Sequence, residues 1–171
     1  MKLLKNMAIV AMTFAAVALA SCGDNNKPDD PTKEAFELYN AADDKPITEG
    51  STIEVTSFDG SFGDPEAIFD LKIKYNHEEA DLKATEVRNF DLTKYSSSMC
   101  VNGTCVPGSK DNTQEWDLGT YYENDEKQIQ LHITVSKDYQ KEAAEMPVEL
   151  SITDGTKTVK FNVVYKYTPA E

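Results

Sequence analysis

The most specific local chemistry in the 171-residue chain belongs to two cysteines, Cys100 and Cys105, which are separated by four residues. Asn102-Gly103 lies between them and favours a type I′ turn, in which both central residues have positive φ. A two-residue turn there places the cysteines opposite each other as a non-hydrogen-bonded pair, with Cα atoms about 4.5 Å apart. That separation is at the short end of the disulfide range. The spacing therefore predicts a disulfide across a β-hairpin, with two free thiols as the alternative.

A redox or metal role is not expected for this cysteine pair. The spacing is C-x4-C rather than C-x-x-C, and neither a helix N-terminus nor a cation lies near it in sequence to lower a thiol pKa. No further ligand lies close in sequence to complete a zinc site. We therefore expect a structural disulfide that stiffens an exposed loop, without a metal or a cofactor.

The chain offers little material for catalysis, since it has only two histidines, His77 and His132. A serine or cysteine nucleophile requires a base within hydrogen-bonding reach. His77 falls in a predicted loop and His132 on the polar face of a predicted strand. Paired carboxylates, which glycosidases need, are uninformative among 30 acidic residues. We expect that the protein is not an enzyme, and a small surface hydrolase or inhibitor is the alternative.

Two acidic segments, residues 59–66 and 123–126, contain the carboxylates that calcium prefers. Neither segment follows the D-x-[DN]-x-[DN]-G pattern of an EF-hand loop. Solvated loops are the favoured interpretation, and calcium binding stays open.

Three aromatic residues are weak candidates for ligand binding. Trp116 is the only tryptophan, and Tyr121 and Tyr122 follow it closely. Such rings stack on sugar faces, but a lone tryptophan also packs between sheets. Core packing is the favoured interpretation for Trp116.

The amino-terminal residues predict export. Lys2 and Lys5 precede an uncharged stretch at residues 7–20, which is shorter than the roughly 20 residues of a membrane span and fits a signal peptide. The stretch ends in Leu-Ala-Ser and Cys22, which resembles a bacterial lipobox. The resemblance implies cleavage before Cys22 and acylation of that residue, including palmitate. A plain signal peptide with a chance cysteine and an uncleaved anchor are the alternatives.

Residues 22–33 predict an acidic, flexible tether, because the segment from Gly23 to Thr32 has no aliphatic or aromatic side chain that could be buried. The chain has 17 basic and 30 acidic residues, a net charge of −13. Loss of Lys2 and Lys5 leaves 15 basic residues and a net charge of −15. This balance excludes nucleic acid as a default partner, because phosphate binding requires clustered Lys and Arg.

The remainder, residues 34–171, alternates apolar and polar residues with period two, which is typical of half-buried antiparallel strands. The residues predicted to face inward are Ile53, Val55, Phe69, Leu71, Ile73, Tyr75, Ile129, Leu131, Ile133, Val135, Val148, Leu150, Ile152, Val159, Phe161, Val163, Tyr165 and Tyr167. Asp154-Gly155 between two such runs predicts a hairpin.

The spacing of the turn signals predicts seven or eight strands in an all-β, immunoglobulin-like antiparallel sandwich, with a small closed barrel as the alternative. Irregular spacing over residues 82–90 predicts a strand with a bulge or bend. Residues 136–146 predict a single helical turn in a crossover loop, and a strand from Pro147 to Thr153 follows.

The lipobox, the acidic tether and the single β-domain resemble small exported lipoproteins of Bacteroides-like bacteria. The stretch from Phe69 to Tyr167 resembles an immunoglobulin-like domain of such proteins: a paired-cysteine loop, then Gly119–Tyr122, then strands that end in Val163–Tyr165. The resemblance implies a cell-envelope domain and no catalytic residues.

We therefore expect a monomeric outer-membrane lipoprotein, on the cell surface or the periplasmic face. Its expected role is non-enzymatic binding, adhesion or an accessory function, with an envelope protein or a glycan as the partner. A polymerising pilus subunit is a third possibility, but it requires an unpaired strand or a long donor segment, and the short tether before Glu34 argues against it.

Overall fold

The computed structural model describes residues 33–61 and 63–169, and eleven strands occur in this part of the chain. The predicted signal peptide, Cys22 and the tether lie outside the described residues. The strands are β1 (Phe36–Asn40), β2 (Lys45–Ile47), β3 (Thr52–Val55), β4 (Glu66–Tyr75), β5 (Glu79–Arg88), β6 (Tyr95–Val101), β7 (Thr104–Pro107), β8 (Thr113–Tyr122), β9 (Glu126–Val135), β10 (Ala144–Thr153) and β11 (Thr158–Tyr167).

The strands form two sheets that pack as an immunoglobulin-like sandwich, so the predicted fold class is confirmed. One sheet has the order β2-β1-β4-β9-β6-β7 and the other has the order β3-β11-β10-β5-β8. All pairings are antiparallel except that of β3 with β11. The predicted count of seven or eight strands was too low. Strands β2 and β7 have three and four residues, too few for a recognisable alternation.

The core consists of the inward faces of the two sheets, and the residues predicted to face inward are buried, except that Ile53 and Val55 of β3 are partly buried and pack against the core. Phe69 of β4 and Phe161 of β11 meet edge to face across the sandwich, with ring centroids 6.2 Å apart. The hydroxyl of Tyr165 donates a 2.8 Å hydrogen bond to the carbonyl oxygen of Leu131, which joins β11 to β9. Burial of one face of each strand thus explains the period-two pattern.

The predicted irregularity in β5 is confirmed, because its pairing with β8 shifts register between Leu82 and Lys83. The opposing Gly119 has φ +80, a conformation that glycine adopts at little cost. The predicted hairpin is also present, since β10 and β11 pair directly on either side of residues 154–157.

The crossover between β9 and β10 contains a single 3-10 turn, Lys137–Tyr139, which confirms the predicted helical turn. The predicted start of the next strand at Pro147 was wrong, since β10 begins at Ala144. The carbonyl oxygen of Pro147 accepts a hydrogen bond from Asn89, just beyond the end of β5. The nitrogen and the carbonyl oxygen of a strand residue point to the same side, so the Pro147 nitrogen also points toward β5. Because β5 ends at Arg88, no hydrogen bond of the sheet needs an amide donor at Pro147.

Within residues 33–61 and 63–169, no helix has the length and apolar character needed to cross a membrane.

Candidate functional site: the cysteine hairpin and the groove beside β1

Strands β6 and β7 form the predicted hairpin, and the disulfide between Cys100 and Cys105 is present. Asn102 and Gly103 have φ of 50 and 77, which are the two positive values of a type I′ turn. The cysteines are directly opposed, with Cα atoms 3.8 Å apart. The turn sequence therefore sets the register that brings the two sulfurs together.

The structure brings His132 to this disulfide, which the sequence analysis did not foresee. The Nε2 atom of His132 lies 3.2 Å from the Sγ atom of Cys100. The Nδ1 atom of the same ring lies 3.1 Å from Oε1 of Glu66. No cation lies near the pair in sequence, but sheet pairing brings the imidazole of His132 to it from a distant strand.

Strand register explains this arrangement. His132 of β9 is paired with Ser98 of β6 and with Ile68 of β4, so Cys100 and Glu66 each lie diagonal to it. Diagonal neighbours on one face of a sheet are within reach of long side chains. All three therefore share the outer face of the six-stranded sheet. Alternation along β9 placed His132 on that face, but the register between β6 and β9 is not encoded locally.

The two sulfurs of the disulfide have different surroundings. Cys100 is 2% exposed, whereas Cys105 belongs to edge strand β7, in which all four residues are exposed. The side chain of His132 is 12% exposed and covers the Cys100 side. An external molecule can therefore reach Cys105 more easily than Cys100.

Cys100, Cys105 and His132 are also the one group of at least three potential metal ligands found within the described residues, with ligand atoms within 4.8 Å of one another. Zinc is bound by cysteine thiolates. Disulfide sulfurs are not thiolates, so of these three residues only His132 offers a zinc ligand atom in the oxidised protein.

The acidic segments weighed as calcium sites use their carboxylates in separate contacts. Asp59 accepts a hydrogen bond from the Ser61 amide, and Asp64 accepts one from Gln140. Asp125 forms a 3.2 Å ion pair with Lys127. These contacts orient the carboxylates toward protein donors.

The three aromatic candidates do not form a stacking platform. Trp116 is 8% exposed and Tyr121 is fully buried. Tyr122 is 53% exposed, because successive residues of β8 point to opposite faces. A joint binding role for Trp116, Tyr121 and Tyr122 is therefore wrong, and the favoured interpretation of Trp116 as a core residue describes its position.

A groove of about 560 Å³ lies beside β1, between β2 and the start of β11. Its apolar floor is formed by Phe36, Leu38, Ile47 and Val159. Three carboxylates line its rim, from Glu34, Glu37 and Glu49. No local sequence pattern indicates this groove, because its lining comes from three separate parts of the chain.

The three rim carboxylates differ in the charge of the groups that they contact. The Nζ atom of Lys157 lies 2.6 Å from Oε2 of Glu34 and 5.0 Å from the ring centroid of Phe36. In contrast, Glu37 accepts a hydrogen bond from the Tyr39 hydroxyl, and Glu49 accepts one from the Lys160 amide. Those donors are neutral, so the negative charge of Glu37 and Glu49 is available to an incoming cation.

No known protein family matches the chain, and no curated protein matches it in sequence. Solved structures share its fold. The N-terminal domain of PorA superimposes with a TM-score of 0.57 at 14% identity, over 80% of this chain and 99% of that domain.

Two more distant structures cover 80% of this chain. CfaE, the adhesive subunit of CFA/I fimbria of enterotoxigenic Escherichia coli, has a TM-score of 0.49 and 8% identity over 49% of its length. A family 123 glycoside hydrolase from Clostridium perfringens has a TM-score of 0.48 and 7% identity over 28% of its length. The likeness to the PorA domain defines the class of protein as an all-β sandwich domain.

Proposed function

We propose that the chain is an outer-membrane lipoprotein whose sandwich domain binds a protein partner of the cell envelope and performs no catalysis. The predicted signal peptide and Cys22 support export and lipid attachment. Lipid chains on one cysteine hold a protein at a membrane without a spanning helix, when at least two chains are attached. The acidic residues of the tether keep the domain clear of anionic lipid.

The groove beside β1 is the observation on which the binding role rests. Ligand sites are concave, mostly apolar and supplied with a few polar groups that fix orientation, and this groove has both an apolar floor and a carboxylate rim. It lies at the surface, where a second protein can reach it.

The chemistry of the groove favours an extended protein segment that carries an apolar side chain next to Lys or Arg. The apolar side chain would cover the floor, and the cation would meet Glu37 and Glu49. Two aromatic residues line the groove, the fully buried Phe36 and the half-buried Tyr39. A lysine ammonium already lies over each ring, that of Lys157 over Phe36 and that of Lys72 over Tyr39, which competes with the stacking of a sugar. A protein segment is therefore favoured over a glycan.

The binding role is tested by site-specific photocross-linking in intact cells. A photoreactive amino acid at Thr48, which is exposed on the groove rim, should give one discrete cross-linked product. The same group at Thr113, which is exposed on β8 in the other sheet, is the matched control and should not give that product. The product at Thr48 should decrease when Glu49 is replaced by Lys. Identical products from both positions would contradict the groove as the binding site.

The anchor has a separate test. Cys22→Ala should move the protein from the membrane fraction to the soluble fraction. The double variant C100A/C105A, which keeps Cys22, should remain with membranes. Unchanged membrane association of Cys22→Ala would contradict lipid attachment and would leave the groove test unaffected.

A further inference from the structure

We propose that the Cys100–Cys105 disulfide is a site of thiol–disulfide exchange, in which an external thiol attacks Cys105 and Cys100 leaves with the help of His132. The substrate class is a small thiol or the exposed cysteine of another protein. This inference is independent of the groove, since it depends on the outer face of the six-stranded sheet.

Access selects the sulfur that is attacked. Exchange proceeds by in-line attack of a thiolate on one sulfur of the disulfide, and access is one factor that decides which sulfur is attacked. Cys105 is exposed on edge strand β7, whereas Cys100 is 2% exposed beneath His132. An attacking thiol therefore reaches Cys105, and Cys100 becomes the leaving group.

The surroundings of Cys100 favour its departure. A leaving thiol departs faster when its thiolate is stabilised, and a neighbouring imidazolium stabilises a thiolate. His132 Nε2 is 3.2 Å from Cys100 Sγ, within reach for a proton transfer or a charge-assisted contact. Glu66 lies 3.1 Å from the opposite ring nitrogen, where it orients the ring. The sulfur of the leaving group, the imidazole and the carboxylate therefore form a continuous chain of contacts.

The two strands that pair with β9, β4 and β6, place the following side chains beside His132. Strand β4 contributes Glu66, and β6 contributes the uncharged Ser98 and Cys100 beside it. Asp59, which bridges to Glu66 through the backbone, and Asp64 add carboxylates to the surface beside Glu66. The His132 ring therefore lies between the Glu66 carboxylate on one side and the Cys100 sulfur on the other.

The reaction balances as a simple exchange. The external thiol loses its proton, its sulfur bonds to Cys105 Sγ, and the Cys100–Cys105 bond breaks. The electron pair of that bond goes to Cys100 Sγ, which takes a proton from His132 Nε2. The proton released by the external thiol passes to solvent, from which His132 regains a proton. The products are a mixed disulfide at Cys105 and a thiol at Cys100. Attack by Cys100 on the mixed disulfide reverses the step, and a second external thiol completes the reduction.

The first experiment identifies the sulfur that is attacked. The full chain with Cys22→Ala, which leaves only the hairpin cysteines, is treated with glutathione in the presence of EDTA so that reduced thiols do not bind metal. The reaction is quenched with acid and analysed by peptide mass mapping. We expect glutathione on Cys105 in the large majority of the mixed disulfide. Glutathione mainly on Cys100, or equally on both cysteines, would overturn the proposal.

The second experiment measures the rate of the same reaction. His132→Gln should slow reduction by about tenfold or more, since it removes the group that donates a proton to the departing Cys100 sulfur. His77→Gln, the other histidine, is the matched control and should leave the rate unchanged. Glu66→Gln should displace the pH profile of the rate, which a purely structural role would not do. Equal rates in the wild type and His132→Gln would overturn the role of His132, and the mapping experiment stands even when that variant folds poorly.

Discussion

The indole nitrogen of Trp116 donates a 3.1 Å hydrogen bond to Oε2 of Glu86 inside the sandwich. Both side chains are buried, and Glu86 is fully enclosed. A buried carboxylate without a donor is costly, so this bond ties the only tryptophan to the core rather than to a ligand. It joins neighbouring strands β5 and β8, and Arg88 two residues further along β5 points to the same side of the sheet.

Removing the indole donor should destabilise the fold. In Trp116→Phe the carboxylate of Glu86 loses the indole donor and keeps its contact with Ser97, and a buried polar atom left unsatisfied costs about 1–3 kcal/mol. The free energy of unfolding, measured with urea, should fall by at least that amount. Tyr122→Phe, an exposed position on the same strand, is the control and should change it little. A neutral result for Trp116→Phe would show that the hydrogen bond contributes nothing to stability.

Glu86 should also give the protein a characteristic pH dependence. Burial raises the pKa of Glu86 above its usual 4.5, and the charge of Arg88 and hydrogen bonding oppose this in part. The folded state therefore keeps a proton that the unfolded state loses, so stability contributed by this group falls as pH rises from about 4.5 and levels off above the folded pKa. Glu86→Gln removes the effect. In parallel urea titrations, the free energy of unfolding of Glu86→Gln minus that of the wild type should rise between pH 4.5 and 8. A difference that stays constant over this range would contradict the prediction.

Arg88 should hold the loop that leads into β8. Its guanidinium donates hydrogen bonds of 3.0 Å to the Ser97 hydroxyl and to the Ser109 carbonyl, and one to the Asp111 carbonyl. Breaking a buried charged network costs about 3–5 kcal/mol, which is the loss expected for Arg88→Met. Arg88→Lys should recover only part of it, because one ammonium cannot reproduce the planar fork.

Amide hydrogen exchange locates the effect of Arg88. Protection over residues 108–112 should decrease more than protection in β10, since the loop carbonyls lose their donor. Lys83→Met, an exposed position on the same strand, is the matched control and should leave both regions unchanged. Equal loss of protection throughout the domain would indicate a global effect rather than a loop anchored by Arg88.

The buried charges explain where the sequence was hard to interpret. Strands β4, β9, β10 and β11 could be predicted because their inward positions are apolar throughout. On β5 the inward positions continue as Leu82, Ala84, Glu86 and Arg88, so strict alternation is present but two of its members are charged. The irregular spacing inferred for this segment therefore reflects both the bulge and a polar network within the core.

The candidate site was predictable only in part, for a different reason. The Cys100–Cys105 hairpin depends on a local turn, so its geometry follows from six consecutive residues. The contact between Cys100 and His132 joins residues 32 positions apart and requires the register of β6 on β9. Pairing between distant strands depends on the whole sheet, which local patterns do not specify.

Two buried tyrosines should make the fold sensitive to alkali. Burial raises the pKa of Tyr121 to about 12 and that of Tyr165 well above 10. Because the folded-state pKa is raised, the stability contributed by each hydroxyl is present below pH 10 and is lost as the pH rises toward the folded value. Unfolding in alkali should therefore coincide with the appearance of part of the tyrosinate absorbance at 295 nm.

The two hydroxyls should respond differently to removal. Within the described residues the Tyr121 hydroxyl has no hydrogen-bond partner, whereas that of Tyr165 bonds to Leu131. At pH 7, Tyr121→Phe should be neutral or stabilising and Tyr165→Phe should cost about 1 kcal/mol. Tyr121→Phe should also reduce the loss of stability between pH 10 and 12. An equal cost for both variants at pH 7 would contradict the difference in their contacts.

The hairpin turn should be sensitive to a substitution that has ample space. Gly103 has φ +77, and a Cβ built there meets nothing within 4 Å. The cost of Gly103→Ala is therefore conformational, about 1–2 kcal/mol for an L-residue in this region. Gly60→Ala is the matched control, because Gly60 lacks a positive φ and its added Cβ meets Pro65 at 3.6 Å, an ordinary contact. With the disulfide intact, urea unfolding should show a lower free energy of unfolding for Gly103→Ala and no change for Gly60→Ala. The disulfide closes the loop, but it does not make the left-handed backbone conformation easier for alanine. Equal stability of the two variants would mean that the hairpin adopts another turn.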